Sequence, residues 1–130
     1  MEMVTAGSAQ MTWDPQGRLA VLSFTRETTT TGADAIILVD ALSRWIGPEG
    51  KPFGLLGDGG KLRGVDAEYR SLWGKFLRQH REDSYTAFFN MSAVVRIAAE
   101  MFRIGTGLHL KAFATEPEAR AWLRSMGIAA

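Results

Sequence analysis

The glycine-rich run from Asp58 to Val65, DGGKLRGV, has the composition of a loop that could hold a phosphate group. A Walker-type loop needs a glycine five positions before its Gly-Lys pair and a Ser or Thr directly after that pair. Leu55 and Leu62 occupy those positions here, and Leu62 also stands where the dinucleotide pattern G-x-G-x-x-G needs its third glycine. We therefore interpret the run as a flexible strand-to-helix connection. It would still lie at the carboxyl end of a parallel strand, where ligands tend to bind in open α/β sheets.

Other reactive groups in the sequence have simple structural explanations. The two histidines, His80 and His109, are not placed by any pattern beside a serine nucleophile and an orienting acid. The absence of cysteine excludes disulfides, thiolate metal sites and cysteine nucleophiles. Several carboxylates fall at predicted turns or helix caps: Asp14, Asp34, Asp58, Asp66 and Glu118. We predict no catalytic residue, no metal site and no cofactor.

The composition is that of an ordinary globular protein. The chain has 130 residues, of which 46% are apolar and 22% charged, and a formal net charge of +1. That balance gives no reason to expect nucleic acid as a partner. The start of the chain lacks a secretory signal, and the apolar run Ala35 to Val39 is far below the ~20 residues that span a bilayer. We expect a cytoplasmic, soluble protein with a flexible N-terminus over residues 1–9 and one domain over residues 10–130.

The stretch from Ser84 to Gly105 predicts a buried strand that runs into a mostly buried helix. Apolar residues on both faces of the strand favour a position inside a sheet. Ser92 is a good N-cap, and Gly105 is placed to end the helix. One stripe of the helix is predicted to be buried: Val94, Ile97, Ala98, Met101 and Phe102.

The N-terminal half predicts a hairpin followed by a crossover. Strands over residues 10–14 and 18–25 flank the turn residues Asp14 to Gly17, so they should pair antiparallel. A helix over about 32–45 leads to a strand over 52–57. The length of this crossover indicates that the strand lies parallel to the second strand of the hairpin.

The C-terminal half adds two more helices and an edge strand. Asp66 caps a helix with an amphipathic stripe: Tyr69, Leu72, Trp73, Phe76 and Leu77. A strand over 108–114 is followed by a helix whose capping box is Thr115 to Glu118. The predicted order is β-β-α-β-α-β-α-β-α, an α/β fold with an N-terminal antiparallel hairpin, a mostly parallel five-stranded sheet and four helices.

The element order and three local stretches resemble the STAS family, the sulfate-transporter and anti-sigma-factor-antagonist domains, and in particular its small stand-alone bacterial members. The likeness covers roughly residues 10 to 126. Its three stretches are WDPQGRL at 13–19, NMSAVVR at 90–96, and KAFATEPEA at 111–119 with Trp122 and Leu123.

The resemblance implies a module that acts by binding other proteins, and some family members bind nucleotides or lipids. In the sporulation branch a kinase phosphorylates a serine at the start of the helix after the third strand. That position here reads Val65-Asp66-Ala67-Glu68, with no Ser or Thr, and Ser71 lies about a turn inside the helix. The chain therefore departs from the phosphoswitch pattern. Asp66 could imitate a permanent negative charge, but an ordinary N-cap is the better interpretation.

Three functions remain open from the sequence. The leading hypothesis is a non-enzymatic regulatory or scaffolding module that binds a protein partner. The alternatives are a binding protein for a lipid or apolar small molecule, and a small hydrolase or transferase that uses the glycine-rich edge. The candidate partner- or ligand-binding residues are Asp58, Lys61, Arg63, Asp66, Arg70, Asn90, Ser92 and Arg96.

Two surface features bear on the partner. Basic residues cluster between Lys61 and Arg81, which is typical of a solvated helix face but would also suit an acidic protein or an anionic lipid headgroup. The chain is also rich in large aromatic side chains. If the helices covered only one sheet face, a homodimer partner, a lipid tail or the N-terminus would have to cover the other.

Overall fold

A computed structural model describes residues 1–48 and 50–130 of the chain. Its strands are β1 (Glu2–Ala6), β2 (Ala9–Asp14), β3 (Leu19–Phe24), β4 (Thr28–Thr30), β5 (Phe53–Asp58), β6 (Leu62–Val65), β7 (Ser84–Phe89) and β8 (Leu110–Phe113). Its helices are α1 (Gly32–Ile46), α2 (Ala67–Gln79), α3 (Ala93–Thr106) and α4 (Glu116–Ser125).

The main sheet has six strands in the order β1-β2-β3-β5-β7-β8. β1, β2 and β3 pair antiparallel, whereas β3–β5, β5–β7 and β7–β8 are parallel. The predicted fold class, an antiparallel start followed by a parallel sheet with four helices, is confirmed. β8 is the edge strand that the sequence predicted.

Helices cover both faces of the parallel strands. On one face, Phe53 and Leu55 belong to a large core that they share with α1, α2 and α3. On the other face, Leu56 packs in a smaller core with Leu123 of α4 and with Ile128 beyond it. The far face of the parallel strands therefore has its cover within the chain, and neither a second copy nor a lipid tail is needed there.

The side chain of one arginine connects the β2–β3 hairpin to the C-terminal end of α1 by hydrogen bonds. Arg18 has φ 50°, in the left-handed region, and its guanidinium lies 5.6 Å from the centre of the Trp13 ring. It donates hydrogen bonds to the carbonyls of Ile46 (2.9 Å) and Pro52 (3.1 Å). A cation at the C-terminal end of a helix is also favoured by the helix dipole.

The expectation of an irregular, frayed N-terminus is wrong for Glu2–Ala6. These residues form β1, whose register on β2 runs from Glu2 opposite Trp13 to Ala6 opposite Ala9. Ala6 is 1% exposed. The segment is short and mixed in polarity, so its own pattern carries little strand signal. It becomes a strand because β2 offers it an open edge with unpaired backbone groups.

The predicted stripe of α3 was wrong about which side chains are buried. Val95 is the fully buried residue of this helix, and Phe102 is partly buried beside it, whereas Val94, Ile97 and Met101 are exposed. The apolar arc of α3 is wide enough to contain two possible faces, and periodicity alone does not say which of them meets the sheet.

The end of α3 also differs from the prediction. The helix continues through Gly105 to Thr106 and ends at Gly107, which has φ 67° and donates its N–H to the carbonyl of Arg103. Either Gly105 or Gly107 could have ended the helix. The one that adopts the left-handed conformation is fixed by the packing of the following chain.

Two short strands were not predicted. β4 lies in the threonine run and β6 in the glycine-rich run, and they pair in parallel as a separate two-stranded sheet. The second half of the supposed flexible connection is therefore an ordered strand. Its partner is more than thirty residues away, so no local pattern reports the pairing.

The two adjacent valines of α3 test its orientation. Val95→Ala should lower the free energy of unfolding by about 1–3 kcal/mol, because it removes two buried methyl groups and leaves space behind. Val94, 74% exposed, is the matched control, since Val94→Ala changes helix propensity equally but should stay within about 0.5 kcal/mol.

Urea denaturation at the lowest practical protein concentration, where self-association contributes least, measures both values. Equal losses at the two positions, or a larger loss at Val94, would contradict the orientation of α3.

Candidate binding edge and apolar cavity

The structure brings two of the predicted site residues together where β5 and β7 end. The N–H of Gly59 donates to the carbonyl of Phe89 (2.8 Å), and this bond joins the two strand exits. Asp58 accepts the N–H of Gly60 (2.9 Å), which shapes the turn after β5. Asn90 follows β7 with φ 60°, and a Cβ placed on Gly60 would lie 3.6 Å from its Cβ. Asp58 and Asn90 therefore share one edge of the sheet.

The side chains of Lys61 and Arg63 extend toward the turn after β3, the parallel strand next to β5. The Nζ of Lys61 lies 3.4 Å from the carbonyl of Thr25, and Arg63 forms an ion pair with Glu27. Arg63 also donates to the carbonyl of Gly60 (3.3 Å). These groups link the glycine-rich segment to the turn after β3. Both basic side chains stay exposed, so the contacts add little stability and leave the charges available to a partner.

Asp66 joins the N-terminal ends of two helices. One carboxylate oxygen accepts the N–H of Tyr69 (2.7 Å), which caps α2, and the other accepts the N–H of Gly32 (3.3 Å), the first residue of α1. Close packing at Gly32 supports this arrangement, because a Cβ there would lie 2.3 Å from the side chain of Glu68. Both oxygens of Asp66 thus serve backbone donors.

The three remaining predicted residues lie on helices. Arg70 is exposed on α2 and donates to the carbonyl of Val65 (3.1 Å). Ser92 caps α3 by accepting the N–H of Val95 (3.3 Å), as the sequence predicted. Arg96 is exposed one turn further along α3.

An apolar cavity of about 220 Å³ lies beside this edge. Its walls come from β3, β5, β6 and the ends of β7 and β8 together with α2 and α3, and the only charged lining residues in the described chain are Asp58 and Arg70. Gly57, Gly59 and Gly64 line it without contributing side chains. A Cβ on Gly57 would lie 2.6 Å from the Phe88 ring and one on Gly59 would lie 2.7 Å from the Met91 side chain, so these two glycines make room for Phe88 and Met91.

Two polar aromatic side chains of α2 line the cavity. Trp73 is 6% exposed, and its Nε1 has no hydrogen-bond partner among the described residues. Burial raises the pKa of Tyr69 well above its usual value of 10.0, although the neighbouring Trp73 and Thr30 side chains act in the opposite direction. The Tyr69 hydroxyl is thus close to Trp73, but the two groups do not form a well-aligned hydrogen bond. A buried donor without a partner is uncommon and marks a place where an acceptor would be stabilised.

The two histidines make aromatic contacts. The His80 ring lies 4.8 Å from that of Phe76 and 5.9 Å from that of Phe53, and His109 stacks on Tyr85 at 5.0 Å. Across residues 1–48 and 50–130, no three side chains of His, Asp or Glu converge in a way that could hold a metal ion. In the same ranges no helix is long and apolar enough to cross a bilayer.

Comparison with solved structures identifies the fold. An anti-sigma-factor antagonist (STAS) domain protein from Planctomyces limnophilus superimposes with a TM-score of 0.63 at 15% identity, over 89% of this chain and 97% of that one. The fold is STAS-like. The predicted resemblance is confirmed at the level of structure. No protein-family profile and no curated protein sequence matches the chain.

A second STAS-like neighbour is SiaC of Pseudomonas aeruginosa. It superimposes with a TM-score of 0.60 at 13% identity, over 88% of this chain and all of that one. A third match comes from the crystal structure of the diguanylate cyclase SiaD in complex with its activator SiaC, also from P. aeruginosa. One chain of that structure superimposes with a TM-score of 0.58 at 12% identity, over 87% of this chain and all of that one. Identities this low establish a shared STAS-like fold and nothing finer.

Sequence reasoning missed the cavity and its two buried polar groups. Tyr69 and Trp73 were predicted as core residues, which is correct, but nothing local indicated that the core beside them is incompletely filled.

Removing the carboxylate that joins α1 and α2 should destabilise the protein. We expect Asp66→Ala to lower the free energy of unfolding by about 1–2 kcal/mol, because the backbone N–H groups of two helix ends lose their acceptor. Asp66→Asn should cost less, since an amide oxygen can still cap α2.

The control for this measurement is Asp40→Ala, which removes an exposed carboxylate that pairs with Arg44 at 3.2 Å. It should change stability by less than about 0.5 kcal/mol. If Asp66→Ala were as neutral as Asp40→Ala in urea denaturation, the bridging role of Asp66 would be wrong.

The raised pKa of Tyr69 predicts a pH dependence of stability. The folded protein keeps the Tyr69 proton at pH values where the unfolded chain has lost it. The free energy of unfolding should therefore fall as the pH rises above about 10, by up to about 1.4 kcal/mol per pH unit from this group.

Tyr69→Phe should remove that component, so its stability should fall less steeply than that of the wild type between pH 10 and 11.5. Denaturant titrations of the two proteins at each pH give the comparison. Identical slopes would mean that the Tyr69 hydroxyl is accessible to water.

Proposed function

We propose that this protein is a regulatory or scaffolding module that acts by binding a protein partner, without catalysis by its own residues. The observation that carries the proposal is its STAS-like fold, together with the neighbouring SiaC, which is the activator of the diguanylate cyclase SiaD and forms a complex with it. The partner of the present chain need not be a cyclase. What the comparison supports is a fold that can act by binding another protein, and we propose that this chain does so in the cytoplasm.

The contact surface that we propose is the edge where β5 and β7 end, with the start of α3. Lys61, Asn90, Ser92 and Arg96 are exposed there, and Asp58 and Arg70 adjoin them. This mixture of basic and amide groups fits a partner surface that carries carboxylates. Electrostatic matching of that kind mainly raises the association rate and selects the partner.

Asp66 belongs to the framework of this surface. Because its two oxygens accept N–H groups from α1 and α2, its charge is directed at helix ends and is only partly presented to solvent. The position that is phosphorylated in the sporulation branch of the resembled family is therefore occupied here by a fixed structural carboxylate. We propose that partner binding by this chain is not controlled by phosphorylation at that position.

Charge reversal at two exposed positions tests the proposed surface. Lys61→Glu with Arg96→Glu should weaken partner binding by roughly tenfold or more, because two attractive charges become repulsive. Arg63 is left unchanged, since its reversal would also disrupt the ion pair with Glu27. The control is Lys75→Glu with Arg81→Glu, the same charge change at exposed positions further along α2 and just beyond it.

The measurement is affinity purification of the tagged protein from its native cells, followed by titration of each recovered partner in purified form. A partner lost with the first variant and kept with the second supports the surface. If every partner binds both variants as well as the wild type, the surface is wrong.

The cavity favours a second function, the binding of a small apolar molecule. Its 220 Å³ exceeds the ~150 Å³ of an engineered cavity that takes up benzene, and is below the ~300 Å³ at which drug-sized sites begin. The unpartnered N–H of Trp73 would suit a ligand with one hydrogen-bond acceptor. A medium-chain alcohol or carboxylic acid has that chemistry.

Binding of 1-octanol and octanoate can be followed by NMR shifts of the Trp73 indole N–H. Ala99→Leu, which adds bulk to the cavity wall, should weaken binding at least about tenfold, whereas the same change at the exposed Ala93 should not. Failure of both compounds to shift the wild-type signal at millimolar concentration would exclude this function for medium-chain ligands.

A further inference from the structure

Helix α3 presents four large apolar side chains to solvent. Val94 is 74% exposed, Ile97 62%, Met101 69% and Ile104 70%. We call these four residues the α3 stripe. They are large side chains on consecutive turns of one helix, and such continuity is unusual on the surface of a monomeric protein.

The spacing of the α3 stripe is that of a helix-packing seam. Its members follow one another at intervals of three, four and three residues, which is the a/d repeat of a coiled coil. Small residues stand beside it at Ala93, Ala98 and Gly105. Small flanking side chains allow a second helix to approach closely. The surface is therefore shaped to receive a helix.

We infer that the occupant is a second copy of this chain, with the two α3 helices packed antiparallel across a two-fold axis. The stripe is symmetric about position 99. An axis at that level places Ile97 opposite the partner's Met101 and Val94 opposite the partner's Ile104. Such an interface is self-complementary, as a two-fold dimer requires. This inference does not rest on the proposed function, although the stripe residue Val94 also lines the cavity.

Charge favours a second copy over an acidic peptide or a membrane. Glu100 and Arg103 form an ion pair along α3, so Arg96 leaves a net charge of +1 on each helix, and the chain as a whole carries only +1. Two copies therefore repel each other weakly. A helix that lies in a membrane surface usually carries several unpaired basic residues and aromatic groups on its apolar face. The aromatic residue of α3, Phe102, points toward the core.

The exposed apolar area of the α3 stripe sets the expected affinity of the dimer. At the exposures given above, the four side chains present on the order of 400 Å². Two copies, with their flanking residues, would bury on the order of 1,000 Å² in total, near the lower limit for a specific interface. We therefore expect a dimer with a dissociation constant in the micromolar range.

Sedimentation equilibrium of the full chain over a concentration series tests the dimer. The wild type should convert from monomer to dimer as its concentration rises through the micromolar range. Met101→Glu should weaken the dimer roughly 100-fold or more, because it buries two symmetry-related charges in the seam. Ile36→Glu is the matched control, since Ile36 is 57% exposed on α1 and lies outside the stripe.

Circular dichroism establishes that each variant is folded. A wild-type protein that stays monomeric at all concentrations, or a dimer that Met101→Glu leaves unchanged, would overturn the inference. So would equal weakening by Ile36→Glu.

Because the chain contains no cysteine, crosslinking can test the antiparallel register. A mixture of the Val94→Cys and Ile104→Cys variants should form a disulfide-linked heterodimer under mild oxidation. Each variant alone should crosslink poorly, because antiparallel pairing separates the two copies of one position by about 15 Å along the axis. Efficient crosslinking of each variant with itself, without heterodimer in the mixture, would overturn the proposed geometry.

Discussion

The parallel strands β5 and β7 must be covered by apolar side chains on both faces, and the rest of the structure follows from this requirement. Backbone groups inside the sheet are paired with neighbouring strands, so stability depends on how completely helices exclude water above and below. Phe53 and Leu55 face three helices, whereas Leu56 and Ala87 face α4. One helix and the C-terminal residues suffice on the second face because Ile128 packs directly over Gly54, where a Cβ would lie only 2.8 Å from its side chain.

The first face is covered less evenly. α1 packs closely on α2 and on β1, whereas α3 packs on β8 and β6 and buries only Val95 fully. It approaches α2 closely at Gly74, whose Cβ would lie 3.1 Å from the Phe102 ring. One side of α3 lines the cavity with Val95, Ala99 and Phe102, and the other half of its wide apolar arc stays in solvent.

Backbone capping fixes the relative positions of the elements around the candidate edge. Asp66 serves the N-terminal ends of α1 and α2, Arg18 serves the C-terminal end of α1, and Ser92 serves the start of α3. Asp66 and Ser92 were both candidate binding residues and predicted caps in the sequence. All three side chains are occupied by orphan backbone groups of helix ends. What remains for a partner is the exposed group around Lys61, Asn90 and Arg96.

The four helices, five of the eight described strands and most of the helix caps follow from local sequence patterns. Those features depend on residues near each other along the chain: the turn at 14–17, the cap at Asp66, the stripe of α2 and the capping box at 115–118. Tertiary structure decided what depends on distant residues. It made Glu2–Ala6 a strand by offering it the edge of β2, paired β4 with β6, and chose which half of the α3 arc meets the sheet. Periodicity reports how wide an apolar face is, but only the space left by other elements decides which part of that face is buried.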